Sequence, residues 1–173
     1  MKINFERPTW DEYFMLQAEL IKLRSNCAIR KVGAIIVKNN RHIAAGYNGT
    51  PPGIKNCYEG GCARCKQRMN EEIESGMFLE RCMCTHAEAN AIIHCALFGI
   101  KITNDSILYS THIPCLECTK MAITTGIKNI ISLRTYNGPT NYLIKNKIVN
   151  IKLINIDKLK YWTRSLDHTI EQN

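Results

Sequence analysis

The sequence predicts an α/β fold, a sandwich of helices around a mostly single sheet. Three observations carry this. After an initial helix and hairpin, helical and strand-like periods alternate along the chain. At 173 residues, with 45% hydrophobic and 22% charged residues, there is material for one domain over residues 1–173 with a core of its own. No apolar run reaches the roughly 18 residues of a membrane-crossing helix, and Met1 to Pro8 holds no apolar stretch of the signal type. A cytoplasmic protein with no membrane partner is the expectation.

The elements follow in order. Thr9, with Glu12 three residues on, has the form of a capping box. Tyr13, Leu16, Leu20, Ile21 and Leu23 then recur at helical spacing to about Arg24. Val32 to Val37 is a β-branched run bounded by Lys38-Asn39-Asn40, and His42 to Tyr47 reads as its hairpin partner, closing at the turn-rich Asn48 to Gly53. Residues 54–85 carry no clean period. A loop of that length inside a compact domain is functional or held by something, and Cys57, Cys62, Cys65, Cys82 and Cys84 are the candidates to hold it.

His86 to Phe98 has helical spacing and ends at Gly99, a glycine suited to the left-handed position after a helix. Ile107 to Ser110 is strand-like. Pro114 suits the first position of a helix that runs to Thr125 and stops at Gly126. Asn129 to Leu133 and Val149 to Ile156 are further β-rich stretches, and Asp157 to His168 reads as a last helix.

The net charge of +8 favours anionic partners. The positive residues are scattered, with a mild concentration from Lys145 to Arg164, so a solvated basic surface and a phosphate-bearing small substrate both suit them. Nine cysteines, an odd number with no secretory signal, point to metal more than to disulfides.

The chemistry is concentrated in His86-Ala87-Glu88 and Pro114-Cys115-Leu116-Glu117-Cys118. H-x-E followed by P-C-x-x-C is the signature of zinc-dependent nucleobase deaminases. A catalytic zinc takes three protein ligands and keeps one position for water, and His86, Cys115 and Cys118 are the candidate set. Cys-x-x-Cys at a helix start turns both sulfurs to one point, and the helix N-terminus favours thiolate over thiol. Glu88 is no ligand. It faces the zinc-activated water and moves protons as general base and then acid. An isolated HAE tripeptide reads as an ordinary amphipathic helix; paired with PCLEC between strands, it reads as a site.

The surrounding residues narrow the substrate. Ser25 to Val37, Ala45-Gly46-Tyr47-Asn48-Gly49-Thr50-Pro51-Pro52-Gly53, His86 to Ile93 and Tyr109 to Cys115 resemble stretches of the deoxycytidylate (dCMP) deaminases, within the cytidine and deoxycytidylate deaminase superfamily. The resemblance runs from about residue 8 to 165, and GYNG-x-P-x-G is its specific part. It implies the cytidine-deaminase fold, a three-layer sandwich with a five-stranded mixed sheet flanked by helices. It also implies hydrolytic conversion of dCMP to dUMP and ammonia, supplying dUMP for thymidylate synthesis. His86, Cys115 and Cys118 match the family's zinc ligands, Glu88 its proton shuttle, and Asn48 an asparagine near the substrate sugar. Asn48 and Gly49 are candidates for substrate or effector binding, although an asparagine in such a turn can simply satisfy its own backbone. Tyr136 is a candidate to border the pyrimidine, with a core tyrosine as the alternative. Arg30, Lys31 and Arg134 are phosphate candidates on charge alone. Members are often hexameric and switched by dCTP and dTTP, so a homo-oligomer, these effectors and magnesium on the triphosphate are family expectations.

The cysteines before His86 exceed what catalysis needs. Cys62-x-x-Cys65 and Cys82-x-Cys84 are zinc-ligand spacings, and a second, structural zinc would pin the irregular segment and orient the helix behind it. Some relatives bind such a metal through residues matching Cys27, Cys57 and Cys84. Others carry a GC-x-RC and C-x-C-x-H arrangement like this one. Cys57 and Cys84 are favoured, with two more among Cys27, Cys62, Cys65 and Cys82; free buried thiols are the alternative. Cys95 belongs to the core.

Two other classes compete. One is a deaminase of another cytosine nucleotide such as dCTP, of a free nucleoside or of a base in RNA. The other is a zinc-stabilised nucleic-acid binding module. Against the latter, Glu88 would have no role, and 8% aromatic residues give no interleaved stacking pattern.

Overall fold

Residue Thr9 starts the fold as its capping box requires. The Glu12 N–H donates to Thr9 Oγ1 at 3.3 Å and the Thr9 N–H to Glu12 Oε2 at 2.9 Å, opening α1 (Trp10–Ile21). The computed structural model describes residues 6–135 and 140–171, with side chains described to Arg164. Beyond α1, β1 (Gly33–Lys38) and β2 (Arg41–Tyr47) form the expected hairpin. Asn39 and Asn40 join them with φ of 49° and 52°, the left-handed pair that a tight two-residue hairpin turn needs.

The chain continues through α2 (Ala63–Met69), α3 (Ala87–Leu97), β3 (Ile107–His112), α4 (Leu116–Thr124), β4 (Asn129–Arg134), α5 (Asn141–Lys145), β5 (Asn150–Leu153) and α6 (Ile156–Glu171). The strands lie in the order β2-β1-β3-β4-β5. β1 runs antiparallel to both β2 and β3, and β3, β4 and β5 run parallel, so the sheet is five-stranded and mixed as expected.

β1 is buried on both faces, and its side chains divide by the two-residue strand period. Ile35 and Val37 point to one layer, where Phe14, Met15 and Ala18 of α1 and Leu159 of α6 pack with Tyr109 and Ile131. Ala34 and Ile36 point to the other, against Ala87, Ala91, Ile92 and Cys95 of α3 and Ala122 of α4. Two helical layers thus enclose one sheet. On the α3 side the approach is very close: a Cβ added at Gly46 of β2 would lie 2.2 Å from the Ala87 carbonyl oxygen.

Four details differ from the sequence reading. Pro114 is not the first helical residue, because the Thr119 N–H donates to the Cys115 carbonyl, making Cys115 the N-cap and Leu116 the first residue of α4. The Pro114 carbonyl instead accepts from the Thr119 and Thr140 hydroxyls. The segment without a period contains α2 and two short 3₁₀ turns, Cys57–Glu59 and Leu79–Arg81. The buried residues of α2 are Arg64 and Cys65, so no aliphatic stripe announces it. α5 is a single turn, too short for periodicity to reveal. The last strand covers only Asn150–Leu153, and α6 starts at Ile156. Tyr136 lies outside the described residues. Among the described residues, no helix is long and apolar enough to cross a membrane.

Candidate active site and metal centres

Two helix starts meet at the C-terminal end of β3. His86 is the N-cap of α3 and Cys115 the N-cap of α4, both with extended backbone, and Cys118 lies in the first turn of α4. His86 Nδ1 sits 3.4 Å from Cys115 Sγ and 3.5 Å from Cys118 Sγ. Zinc–nitrogen and zinc–sulfur bonds of ordinary length put a nitrogen and a sulfur on one tetrahedron roughly 3.6 Å apart. The three donors therefore fit a zinc ion as they stand. Hydrogen bonds from Cys118 and then His86 hold the Cys115 thiol down to about 4 despite its burial, which favours the thiolate that a metal takes.

Glu88 projects from the first turn of α3 and is only 4% exposed. Ser110 Oγ, on the adjoining strand β3, donates to its Oε1 at 2.7 Å. Burial pushes the Glu88 carboxyl above the usual carboxylate range, and the Ser110 hydroxyl offsets part of that shift. A carboxyl so placed suits proton exchange near neutral pH. Glu88, His86, Cys115, Asn48, His112 and Arg30 line one cleft.

Asn48 is clamped in its turn. Its Oδ1 accepts from the Val32 N–H and the Ser25 hydroxyl, each at 2.7 Å, and its Nδ2 donates to the Arg30 carbonyl at 2.7 Å. One amide hydrogen is left over for anything in the cleft. Gly49 pairs with Thr85, donating at 3.1 Å and accepting at 2.9 Å, which ties the turn to the residue before His86. A Cβ at Gly49 would lie 2.7 Å from Asn26 Oδ1, so any larger residue there would have to displace the Asn26 side chain. Asn90 of α3 donates to the Tyr47 carbonyl at 2.7 Å and fastens the same strand end to the helix.

The charge-based phosphate candidates separate. Arg30 lines the cleft, joined there by Arg68. Lys31 is exposed and does not line it. Arg134 pairs with Glu19 at 2.6 Å and also donates to the Thr111 carbonyl. His112, at the end of β3, is pushed down to about 4 by burial and by Arg30 and Arg134, so it is neutral at pH 7. Ser110, Arg68, Asn90 and His112 were not singled out by the sequence. Single polar residues in a strand or helix have no spacing that marks them.

The second cysteine group also assembles. Cys57, Cys62, Cys65 and Cys84 are buried together, with Cys27 and Cys82 packed against them. Sulfur–sulfur distances are 4.0 Å for Cys27–Cys65, 3.9 Å for Cys62–Cys82 and 4.0 Å for Cys65–Cys82. All nine cysteines are free.

With this geometry in place, known proteins give the lineage. The family described as cytidine and deoxycytidylate deaminase zinc-binding region matches residues 8–134. The chain belongs to this family. Membership brings zinc binding with it, and His86, Cys115 and Cys118 are one of the groups of donors among the described residues that could hold a metal ion. The chain is 45% identical over 134 residues to a deoxycytidylate deaminase of Schizosaccharomyces pombe, covering 78% of this chain and 40% of that protein. It is 39% identical over 130 residues to the Saccharomyces cerevisiae deoxycytidylate deaminase, covering 75% of this chain and 39% of that one. It thus spans about two fifths of the length of these two relatives. The crystal structure of a dCMP deaminase from cyanophage S-TIM5, in complex with dCMP and dUMP, superposes with a TM-score of 0.67 at 33% identity. That match covers 87% of this chain and all of the phage chain, and it bears out the cytidine-deaminase fold.

Proposed function

We propose that residues 1–173 form one zinc-dependent deaminase domain that hydrolyses dCMP to dUMP and ammonia, supplying dUMP for thymidylate synthesis. The observation that carries the proposal is the buried Glu88 carboxyl, held by Ser110 in the cleft where His86, Cys115 and Cys118 converge. The full-length match to a phage chain named as a dCMP deaminase supports the choice of nucleotide.

In this reading His86, Cys115 and Cys118 hold the zinc. When bound, the zinc supplies a Lewis acid that lets water ionise near neutral pH. Glu88 is the catalytic residue. It takes a proton from the water that attacks C4 of the cytosine and delivers it to ring nitrogen N3, then takes the proton of the new C4 hydroxyl and passes it to the exocyclic amine. A C4–O bond forms, the C4–N bond breaks, and ammonia leaves. Ser110 is a positioning residue, fixing which Glu88 oxygen faces the reacting atoms. Asn48 offers its remaining amide hydrogen to the sugar, Gly49 keeps that turn against Thr85, and Arg30 and Arg68 are placed for the phosphate.

The resemblance to the family extends the reading to a second structural zinc among the remaining cysteines, and to a cytoplasmic homo-oligomer, hexameric as relatives often are. It extends further to dCTP and dTTP as effectors, with magnesium on the triphosphate.

Ammonia release from dCMP, dCTP and deoxycytidine by the zinc-loaded chain tests the substrate. Turnover of dCMP at least tenfold faster than of the other two is expected; a preference for dCTP would replace the substrate and leave the mechanism standing. Ser110→Ala removes a hydrogen bond to a buried carboxyl, worth about 1.5–3 kcal/mol. It should lower kcat about tenfold with KM little changed, whereas a rise in KM alone would make Ser110 a binding residue.

A further inference from the structure

Six of the seven cysteines outside the His86 site fall into two overlapping tetrads, Cys95 being apart from both. Cys27, Cys57, Cys65 and Cys84 form one, and Cys62, Cys65, Cys82 and Cys84 the other, with the sulfurs of each tetrad within 4.8 Å of one another. Cys65 and Cys84 belong to both. A single zinc would use one tetrad and leave two cysteines packed against it as spare thiols. Two tetrahedra sharing an edge use all six.

We propose that this chain holds a binuclear zinc–thiolate cluster, with Cys65 and Cys84 bridging two zinc ions. Cys27 and Cys57 complete one tetrahedron, and Cys62 and Cys82 complete the other. The proposal rests on the reading of a second zinc in this chain and changes its nuclearity.

Four observations converge on it. First, zinc–sulfur bonds of about 2.3 Å set the sulfur–sulfur edge of a tetrahedron at roughly 3.8 Å. The distances of 3.9 and 4.0 Å lie near that edge and far from the roughly 2.05 Å of a disulfide. Second, Cys65 touches Cys27 of one terminal pair and Cys82 of the other, each at 4.0 Å, as a bridging ligand must. Third, the cluster packs almost wholly on itself. Among the described residues, Ala28 is the one apolar neighbour of another type packed with the six cysteines, so hydrophobic burial does not account for so many thiols in one place.

Fourth, the surroundings suit a negative centre. Two zinc dications with six thiolates carry two net negative charges. Backbone N–H groups of Ala28 and Met83 donate at 3.4 Å to Cys57 and Cys62, one terminal sulfur of each tetrahedron. Arg30, Arg64 and Arg68 line the cleft beside Cys27, Cys65, Cys82 and Cys84. The ligands come from before β1, from the first 3₁₀ turn, from α2 and from the approach to α3. The cluster therefore staples the irregular segment to the stretch before β1 and ends two residues before His86.

The test is zinc counting and X-ray absorption on the full chain, saturated with zinc under reductant and freed of loose metal. Three zincs per chain and a zinc–zinc scattering path are expected. The double variant C62S/C82S leaves the other tetrad whole and should fall to two zincs and lose the zinc–zinc path. A wild-type chain without that path, whether it holds two zincs or three, overturns the proposal. Should the double variant fail to fold, the wild-type count and path decide alone. The outcome is separable from the deaminase reading: a chain inactive on dCMP that still shows the zinc–zinc path keeps the cluster and loses the substrate.

Discussion

Replacing Glu88 with glutamine is expected to lower dCMP turnover about 10³-fold, the middle of the range that one positioned proton-transfer group contributes. The substitution is close to isosteric, and the glutamine oxygen can still accept from Ser110 Oγ, which now reaches Glu88 Oε1 at 2.7 Å. Glu88 is outside the His86, Cys115 and Cys118 donor set, so the zinc count should not change. What is removed is the group that carries the proton. Thermal stability should equal or exceed that of the wild type, because burial opposes ionisation of this carboxyl and an amide has no charge to desolvate. Steady-state kinetics, metal analysis and a melting curve on one preparation check all three. Activity within tenfold of wild type would assign proton transfer to another group. Lost zinc would show that Glu88 holds the site together and does not work in it.

This centre was legible in the sequence because its parts obey short spacings. A histidine and a glutamate two residues apart at one helix start, and two cysteines three apart at another, can be read without knowing how the helices meet. The hairpin was legible for a similar reason, since Asn39 and Asn40 bring a turn chemistry that strands alone lack. Ser110 was not legible. It reaches Glu88 only because β3 lies beside the start of α3, a tertiary fact with no local trace. Arg134 misleads in the opposite way: its charge invites a phosphate, while Glu19, 115 positions away, already occupies it. The cysteine pairs gave the expectation of a metal before His86. Which sulfurs would share it depends on Cys27 and Cys57 meeting Cys65 and Cys84, and no spacing encodes that.

The placement of Glu88 depends in turn on a residue with no side chain. Gly46 in β2 faces α3 so closely that an added Cβ would lie 2.2 Å from the Ala87 carbonyl oxygen, 2.4 Å from the Ala91 nitrogen and 2.9 Å from the Asn90 carbonyl carbon. All three are backbone atoms, so no side chain can swing aside. Ordinary contact begins near 3.4 Å, and α3 must therefore move outward by about 1 Å to admit even a methyl group. Gly46→Ala is expected to destabilise the fold by about 3 kcal/mol, the upper part of the usual overpacking range. Its effect on catalysis should be larger than that loss explains. Ala87 lies between His86 and Glu88, and a shift on the scale of 1 Å at reacting groups can cost about 10²-fold in rate. Gly53→Ala is the control. Gly53 has φ of 88° with nothing within 4 Å of the added Cβ, so it should show backbone strain alone, on the order of 1–2 kcal/mol. Urea denaturation and kcat measured under conditions where each variant is folded separate the two effects. A folded Gly46→Ala protein with wild-type kcat would mean that α3 tolerates the shift, and that the glycine serves packing alone. A hundredfold loss in the folded protein would place Gly46 among the residues that aim Glu88, although it touches neither metal nor substrate.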